Sequence, residues 1–242
     1  DIQDFDSMEK ELKDTEGVFH QAALTVVQDS FKIPEKYHNV NVDGTENIFK
    51  IAQKNNFKVV YASSSSVYGH QENVPILEHF RKKPINPYGQ TKLDDEILAE
   101  KYSKLGVSII GLRYFNIFGK GQTLEYAGVI TKFLDRIREG KAPIIFGSGT
   151  QIRDFIHVED IAKANLSAMK SDVSFTHANI GTGNSISILE LAKIMIDISD
   201  LEIKPIMEKA LEGDIEKSQS NNSLARKLFE WKPERKLEDW LK

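Results

Sequence analysis

The chain has 242 residues, 40% of them hydrophobic, and a formal net charge of -4 at pH 7. Its length allows one large domain or two unequal lobes, and its mild acidity excludes a general basic surface for nucleic acid. It has no cysteine and no apolar run near the roughly 20 residues of a membrane span, so we expect a cytoplasmic protein without disulfides or a membrane partner.

The first part of the chain predicts a helix, a strand and a second helix. We expect Ser7 to cap a short helix that ends at Lys13. The apolar pattern of residues 17–23 predicts a buried strand that ends in small residues. Pro34 opens a long helical pattern that continues to about Asn55.

Two further strands follow, with a helix between them. Residues 58–62 form a short apolar strand that leads into four serines, residues 63–66. A capping asparagine and a first-turn proline open a helix over residues 86–105, and residues 107–115 predict the next strand. Alternating strands and helices with nearly continuous apolar strands predict an α/β fold, with a parallel sheet covered on both faces.

The later chain is less regular and predicts a smaller lobe. We expect a helix over residues 127–139, a short strand at 143–146 and a capped apolar helix over 187–199. Residues 209–222 are polar and predict a loop over a surface or a site, and residues 231–242 predict a final helix.

Tyr88 and Lys92 lie four positions apart, on one face of the predicted helix and close to its start. A nearby ammonium and a helix N-terminus both favour a phenolate, so Tyr88 can act as a base near neutral pH. The serine run, residues 63–66, ends a strand, which is where doubly wound sheets hold ligands. A serine hydroxyl there can bind a substrate hydroxyl and relay its proton to Tyr88.

Further motifs occur in order along the chain. They are Asp1-Ile2, His20-Gln-Ala-Ala23, Asn41-Val-Asp-Gly-Thr45, Leu112-Arg-Tyr-Phe-Asn-Ile-Phe-Gly119, Gln151-Ile-Arg-Asp-Phe-Ile-His-Val158 and Gly213-Asp214. With the serine run and the Tyr-x-x-x-Lys pair, they resemble the extended short-chain dehydrogenase/reductase family, the NAD-dependent epimerases and dehydratases of nucleotide sugars. The resemblance spans essentially the whole chain.

The resemblance implies a Rossmann-like doubly wound parallel sheet that binds NAD and a smaller α+β lobe that binds substrate. It assigns residues 1–116 and 151–176 to the NAD-binding core, and residues 117–150 and 177–242 to the substrate lobe. The glycine-rich turn that this family places after its first strand occurs nowhere among the 15 glycines. We therefore expect an N-terminal βαβ unit of roughly 50–60 residues to be missing from this chain.

The resemblance also assigns site residues. Ser64, Tyr88 and Lys92 would be catalytic, with Ser65 left open as the relay hydroxyl in place of Ser64. The cofactor would be bound by Asp1 and Ile2 at the adenine, by Ala22 and Ala23 at the pyrophosphate, by Asn41 in the cofactor region, by Lys92 at the nicotinamide ribose, by Tyr114 on the nicotinamide side, and by Tyr88. The substrate would be bound by Ser64, Asn116, Arg153, Asp214 and Ser218. No metal is expected, because the six histidines form no ligand cluster.

The chemistry expected from the resemblance is 4-epimerisation. Dehydratases of this family carry an Asp-Glu pair where the chain has Ser65-Ser66. Tyr88 would take the proton of the sugar 4-hydroxyl while NAD takes the C4 hydride, and a 4-keto sugar would result. The small Ser218 would admit a UDP-N-acetylhexosamine as well as a plain UDP-hexose. Leu211 stands where the family usually places another phosphate-binding arginine.

Two other interpretations remain. A UDP-uronate 4-epimerase, a decarboxylase or a nucleotide-sugar reductase would use the same Tyr88 and Lys92. A truncated, non-catalytic scaffold is the alternative that the missing glycine turn suggests. Similar proteins pair subunits through helices that correspond to residues 41–55 and 88–105, so we expect a homodimer.

Overall fold

The computed structural model describes residues 1–126 and 128–242. The helices are, in chain order, α1 (Phe5–Glu11), α2 (Val27–Lys32), α3 (Pro34–His38), α4 (Gly44–Asn55), α5 (Pro87–Ser103), α6 (Val129–Arg138), α7 (Val158–Lys170), α8 (Ile188–Ile198), α9 (Ser223–Phe229) and α10 (Leu237–Leu241). The strands are β1 (Gly17–His20), β2 (Lys58–Ser64), β3 (Ile109–Tyr114), β4 (Asn116–Phe118), β5 (Ile144–Phe146), β6 (Ile152–Arg153), β7 (Phe155–His157), β8 (Phe175–Ile180), β9 (Ile186–Ser187), β10 (Ile206–Glu208) and β11 (Lys217–Ser218).

A parallel sheet with the strand order β1-β2-β3-β8 forms the centre of the protein. Every residue of β3 is buried, as expected for an apolar strand covered on both faces. The register pairs Ser64 with Tyr114 and Tyr114 with Ile180, so three strands end side by side. The serine run therefore lies at the carboxyl edge of the sheet, where ligands bind in such folds.

Helices cover both faces of this sheet. On one face, α4 and α5 contribute Phe49, Ile51 and Tyr102 to a core with the β2 residue Tyr61. On the other face, α7 and α9 pack against the sheet, with Ala164, Ala168, Ala225 and Phe229 among the buried residues. The predicted α/β fold with a parallel, doubly covered sheet is confirmed.

The remaining strands form small sheets beside the central one. Strand β6 pairs in parallel with β11 and antiparallel with β9, while β5 pairs with β10 and β4 with β7. A separate core joins α6 and α8 through Phe133, Ile137, Leu191 and Met195. The NAD-binding core was expected to end at residue 176, but β8 continues in the central sheet to Ile180. Helix α9, which lies in the expected substrate lobe, also packs on the central sheet.

Some elements differ from the sequence prediction. Asp4, rather than Ser7, caps α1 by accepting a hydrogen bond from the Ser7 amide at 3.0 Å. The helix expected from Pro34 to Asn55 is interrupted by a π-helical turn, Asn39–Asp43. The final helix is restricted to α10.

The helix expected over 127–139 begins at Val129, and its first expected residue, 127, lies outside the described residues. Within the part of the chain that the structure describes, no helix is long and apolar enough to cross a membrane.

Candidate active site

The start of α5 lies directly against the serine run. Asn86 caps the helix by accepting a hydrogen bond from the Gly89 amide at 2.7 Å. A Cβ atom at Gly89 would lie 2.8 Å from the carbonyl oxygen of Ser66, so only glycine allows this close approach. The same turn is tied to α2, because the Tyr88 amide donates to Ser30 Oγ at 3.2 Å. The fold thus brings the first turn of α5 to the end of β2.

Tyr88 is half-buried, whereas Lys92, one helical turn later, is buried. The Lys92 ammonium forms an ion pair with Asp95, with 3.1 Å between Nζ and Oδ2. Burial alone would lower the pKa of Lys92, but the negative charge and hydrogen bond of Asp95, with the negative charge of an ionised Tyr88, outweigh it, so the pKa is raised. Lys92 is therefore a buried cation with Tyr88 in its electrostatic surroundings.

The serines of the run have different surroundings. Ser63 donates a hydrogen bond to Glu96 Oε1 at 2.7 Å, which gives it a structural partner. Ser64 is buried, and its hydroxyl oxygen accepts from the Ser66 amide at 3.1 Å, which leaves its own hydrogen available to a ligand. Ser65 is half-buried at the start of the 3₁₀ turn Ser65–Tyr68. Both Ser64 and Ser65 stay candidates for the relay hydroxyl.

Asn41 supports the loop that carries Ala22 and Ala23. Its side chain accepts from the Leu24 amide at 2.7 Å and donates to the Leu24 carbonyl at 3.0 Å. It also donates to Thr91 Oγ1 at 3.0 Å, which connects this loop to α5. Ala22 is exposed, so the backbone of the loop is open to a ligand. Asn41 is fully buried and acts on the loop rather than lining it.

Tyr114 lies at the end of β3 in a polar cluster. Its hydroxyl is within hydrogen-bond distance of Gln21 Oε1 at 3.1 Å and of the Asn165 side chain at 2.7 Å. Burial raises the pKa of Tyr114 to about 12, so the phenol stays neutral at physiological pH. Gln21 precedes Ala22, and the cluster therefore connects the expected nicotinamide side to the loop after β1.

Asp1 and Ile2 lie at the start of α4. The Ile2 carbonyl accepts from Asn47 Nδ2 at 3.1 Å, and a Cβ atom on Gly44 would lie 2.6 Å from Ile2 Cδ1. Asp1 is exposed. These contacts fix Ile2 against α4 and leave the Asp1 side chain accessible.

The four residues expected to bind only the substrate lie close together, on the small sheets beside the central one and on the loop that leads into β11. Arg153 pairs with Ser218 in the β6–β11 register, and Asn116 Nδ2 lies 3.5 Å from Ser218 Oγ. Arg153 Nη2 donates to Asp214 Oδ1 at 2.5 Å. The neighbouring Asp154 is buried and accepts from the amides of Thr182, Gly183 and Ser220, which ties three chain segments beneath the cluster.

Sequence reasoning missed several polar residues of the site. Asp95 and Glu96 were not identified, although Asp95 follows Lys92 at the i,i+3 spacing of one helix face. Gln21 and Asn165 were also missed, since only the fold brings them to Tyr114. The spacing along α5 was a usable signal for Asp95, whereas no local signal predicts the Gln21 and Asn165 contacts.

Comparison with known proteins fits this arrangement. A sequence model of the NAD-dependent epimerase/dehydratase family matches residues 1–181. A putative UDP-glucose 4-epimerase of Methanocaldococcus jannaschii is 38% identical over 249 aligned positions, which cover all of this chain and 80% of that protein. The chain belongs to the NAD-dependent epimerase/dehydratase family.

Solved structures extend the comparison of this family member. The UDP-N-acetylglucosamine 4-epimerase of Methanobrevibacter ruminantium M1, in complex with UDP-N-acetylmuramic acid, has a TM-score of 0.94 and 37% identity, covering 100% of this chain and 78% of that one. The UDP-glucuronic acid 4-epimerase of Bacillus cereus, in complex with UDP-glucuronic acid and NAD, has a TM-score of 0.93 and 29% identity, covering 100% and 77%. The family and the NAD dependence expected from the motifs are confirmed, and this family member is an enzyme.

Proposed function

We propose that the protein is an isomerase, an NAD-dependent UDP-sugar 4-epimerase that interconverts the C4 epimers of a UDP-hexose or a UDP-N-acetylhexosamine through a 4-keto intermediate. The observation that carries the proposal is that the first turns of α5, which hold Tyr88 and buried Lys92, pack against the serine run at the carboxyl edge of the sheet. The residues after Ser64 are serines without a carboxylate, which suits a reaction that moves one hydride and one proton.

The catalytic roles follow from the side chains. The Tyr88 phenolate takes the proton of the sugar 4-hydroxyl and later returns it, while Ser64 holds that hydroxyl and relays the proton. Lys92 stabilises the phenolate through its charge. Bound NAD supplies the reversible uptake of the C4 hydride, which turns the sugar into the 4-keto form and then into the epimer.

The residues around the sheet edge fit the cofactor. The Lys92 ammonium has three donors, of which Asp95 takes one, so two are available for the nicotinamide ribose and Tyr88. Ala22 and Ala23 present an accessible loop of small residues to the pyrophosphate, held in place by Asn41. Tyr114 would border the nicotinamide, and Asp1 and Ile2 the adenine.

The substrate would lie across Asn116, Arg153, Asp214 and Ser218. The guanidinium of Arg153 can donate two hydrogen bonds to a diphosphate, and Asp214 keeps that side chain oriented. Ser218 is buried beside Asn116, and a side chain this small would admit a 2-acetamido group that a larger one would exclude. The similarity to a UDP-N-acetylglucosamine 4-epimerase supports the same substrate class.

Three further proposals concern organisation. We assign the NAD-binding core to residues 1–116 and 151–176 and the substrate lobe to 117–150 and 177–242, with β8 continuing in the central sheet to Ile180 and α9 packing on that sheet. A homodimer through α4 and α5 is supported by exposed apolar surface on α5. The cytoplasmic location stays a prediction that cell fractionation would test.

The test is to incubate the protein with NAD and either UDP-N-acetylglucosamine or UDP-glucose and to follow the 4-epimer by NMR. We expect turnover that Tyr88→Phe abolishes. The matched control is Tyr102→Phe, which should retain turnover, because Tyr102 lies at the other end of α5 and its hydroxyl donates to Glu46 of α4. No epimer from either sugar, with NAD bound, would contradict the proposal for these substrates. Epimerisation of UDP-glucuronic acid would then favour a uronate 4-epimerase, which the similarity to the Bacillus cereus enzyme also supports. Release of carbon dioxide would favour a decarboxylase.

A further inference from the structure

A buried ion pair lies directly behind the proposed catalytic tyrosine. Lys92 Nζ and Asp95 Oδ2 are 3.1 Å apart, and the two side chains are 4% and 0% exposed. The Asp95 side chain also lies close enough to the Thr45 hydroxyl for that group to lower its pKa. A carboxylate buried this completely needs a charged partner, and Lys92 is the cation that lies against it.

The groups that face this pair come from four elements. On α5 they are Tyr88 and Asp94, and the latter is partly exposed. From β1, His20 lies near Lys92, and from α4, Thr45 lies near Asp95; His20 Nε2 and Thr45 Oγ1 are 2.8 Å apart. From β2, the phenol of Tyr61 lies in the same electrostatic environment.

Asp94 is partly exposed and accepts a hydrogen bond from Gln90 Nε2, so its charge is exposed to solvent, and the other neighbours do not replace the charge of Asp95. Burial, reinforced by Lys92, lowers the pKa of His20 to about 3, so the imidazole is neutral at physiological pH. Burial raises the pKa of Tyr61 well above its ordinary value, so this phenol is neutral as well. The Glu96 carboxylate is already engaged by Arg113. Asp95 is therefore the carboxylate that compensates the buried ammonium.

The charge of Lys92 depends on this compensation. Burial by itself favours the neutral amine, and the net rise in the pKa of Lys92 comes first from Asp95. Burial also raises the pKa of Asp95 to about 6, against the opposing effect of Lys92, so the carboxylate is ionised at neutral pH. A neutral lysine would not stabilise a phenolate at Tyr88 and would present fewer hydrogen-bond donors.

We propose that Asp95 is a positioning residue of the reaction, which keeps Lys92 protonated inside the protein and fixes its Nζ so that the other two donors face the cofactor and Tyr88. Asp95 itself acts only through Lys92. The catalytic role of Asp95 rests on the proposed function, whereas its effect on the protonation of Lys92 does not require that the protein be an epimerase.

The direct test is the titration of Lys92 by NMR in protein labelled with carbon-13 at the lysine Cε, with the Lys92→Met variant to assign its signal. Asp95→Asn keeps the shape and removes the charge, so the midpoint of the Lys92 titration should fall by about two pH units or more. Asp94→Asn is the matched control. Asp94 is the adjacent, partly exposed carboxylate that accepts from Gln90 Nε2 at 2.8 Å, and its loss should move the midpoint by less than about half a unit.

Further variants separate the outcomes. Asp95→Glu restores a carboxylate and should return the midpoint toward that of the native protein. If Asp95→Asn does not fold, Asp95→Ser carries the same expectation, because it also removes the charge. A Lys92 midpoint in the charge-removing variant that matches Asp94→Asn would overturn the proposal.

Activity provides a second readout. In the Asp95→Asn enzyme, the high-pH limb of kcat should move to lower pH by the same amount as the Lys92 titration, while the KM for the UDP-sugar stays within about twofold. A shifted titration in a protein without epimerase turnover would leave the link between Asp95 and Lys92 standing and overturn the proposed function. Turnover whose pH profile is the same in the native and Asp95→Asn enzymes would support the proposed function and overturn the proposed role of Asp95.

Discussion

Ser64 and Ser65 are adjacent in sequence, but the structure gives them different chemistry. Ser64 is buried with its oxygen already accepting from the Ser66 amide, so its hydroxyl hydrogen is directed to a partner elsewhere. Ser65 is more accessible. We expect Ser64→Ala to lower kcat by about 10²-fold or more, because a positioned proton relay contributes on that order. Ser65→Ala should stay within about threefold of the native enzyme when both are measured by NMR with the same UDP-sugar. The reverse order of effects would assign the relay to Ser65.

At the scale of elements, the contact of α5 with the sheet depends on one buried carboxylate. Glu96 accepts from Arg113 Nε at 2.7 Å and from Nη2 at 2.8 Å, and it also accepts from Ser63 and Lys82. Burial would raise the pKa of Glu96, but the hydrogen bonds and charge of Arg113 outweigh it and lower the pKa to about 2. The ionised form is therefore part of the folded state, and it joins α5 to β2 and β3.

This linkage predicts a specific acid sensitivity. The folded pKa lies below the ordinary value of 4.5, so the stabilisation by Glu96 is complete above that pH and is lost as the pH falls toward about 2. Glu96→Gln should lower the free energy of unfolding at neutral pH by about 3–5 kcal/mol, because it leaves Arg113 buried without its counter-ion. It should also flatten the pH dependence in that window, as measured by denaturant unfolding. Glu100→Gln, on the exposed side of the same helix, is the control and should change little. An equally steep acid loss in Glu96→Gln would contradict the assignment.

The same helix shows how far the sequence determines the site. The i,i+4 spacing of Tyr88 and Lys92 and the Asn86-Pro87 start predict their shared face, because this information is local. The apolar and polar residues of α5 do not separate into two faces, and acidic residues such as Asp95 and Glu96 are ordinarily exposed. Only the contacts with Lys92 and Arg113 explain their burial. Local periodicity therefore could not reveal the two carboxylates that organise the site.

At the scale of the whole chain, the alternation of strands and helices as far as β3 was predictable from nearly continuous apolar strands. Helix α7 and the central strand β8 were not predicted, and the loop expected over 209–222 contains the short strand β11. The return of that loop to β6, which places Ser218 beside Arg153, was not predictable, because the pairing joins residues about 60 positions apart. The π-helical turn that positions Asn41 also depends on a long-range contact, its hydrogen bond to Thr91.

The proposed homodimer depends on the outer face of α5. Ile97 is 59% exposed there, on the face of the helix opposite to the buried Lys92 and Asp95. An isoleucine with this exposure gains free energy when a partner covers it, and a charge at the same place would have to be desolvated. Ile97→Glu should therefore convert the dimer to a monomer at micromolar concentration, as measured by light scattering, with its thermal unfolding curve otherwise cooperative.

A matched variant tests whether the effect belongs to this face. Leu166 is 47% exposed on α7, which covers the opposite side of the central sheet. Leu166→Glu introduces the same charge into a similar helical setting and should leave the dimer intact. If both variants dissociate the dimer, the change in charge rather than the α5 surface is responsible. A native protein that is monomeric at this concentration would remove the dimer proposal, and a dimeric Ile97→Glu protein would move the interface away from α5.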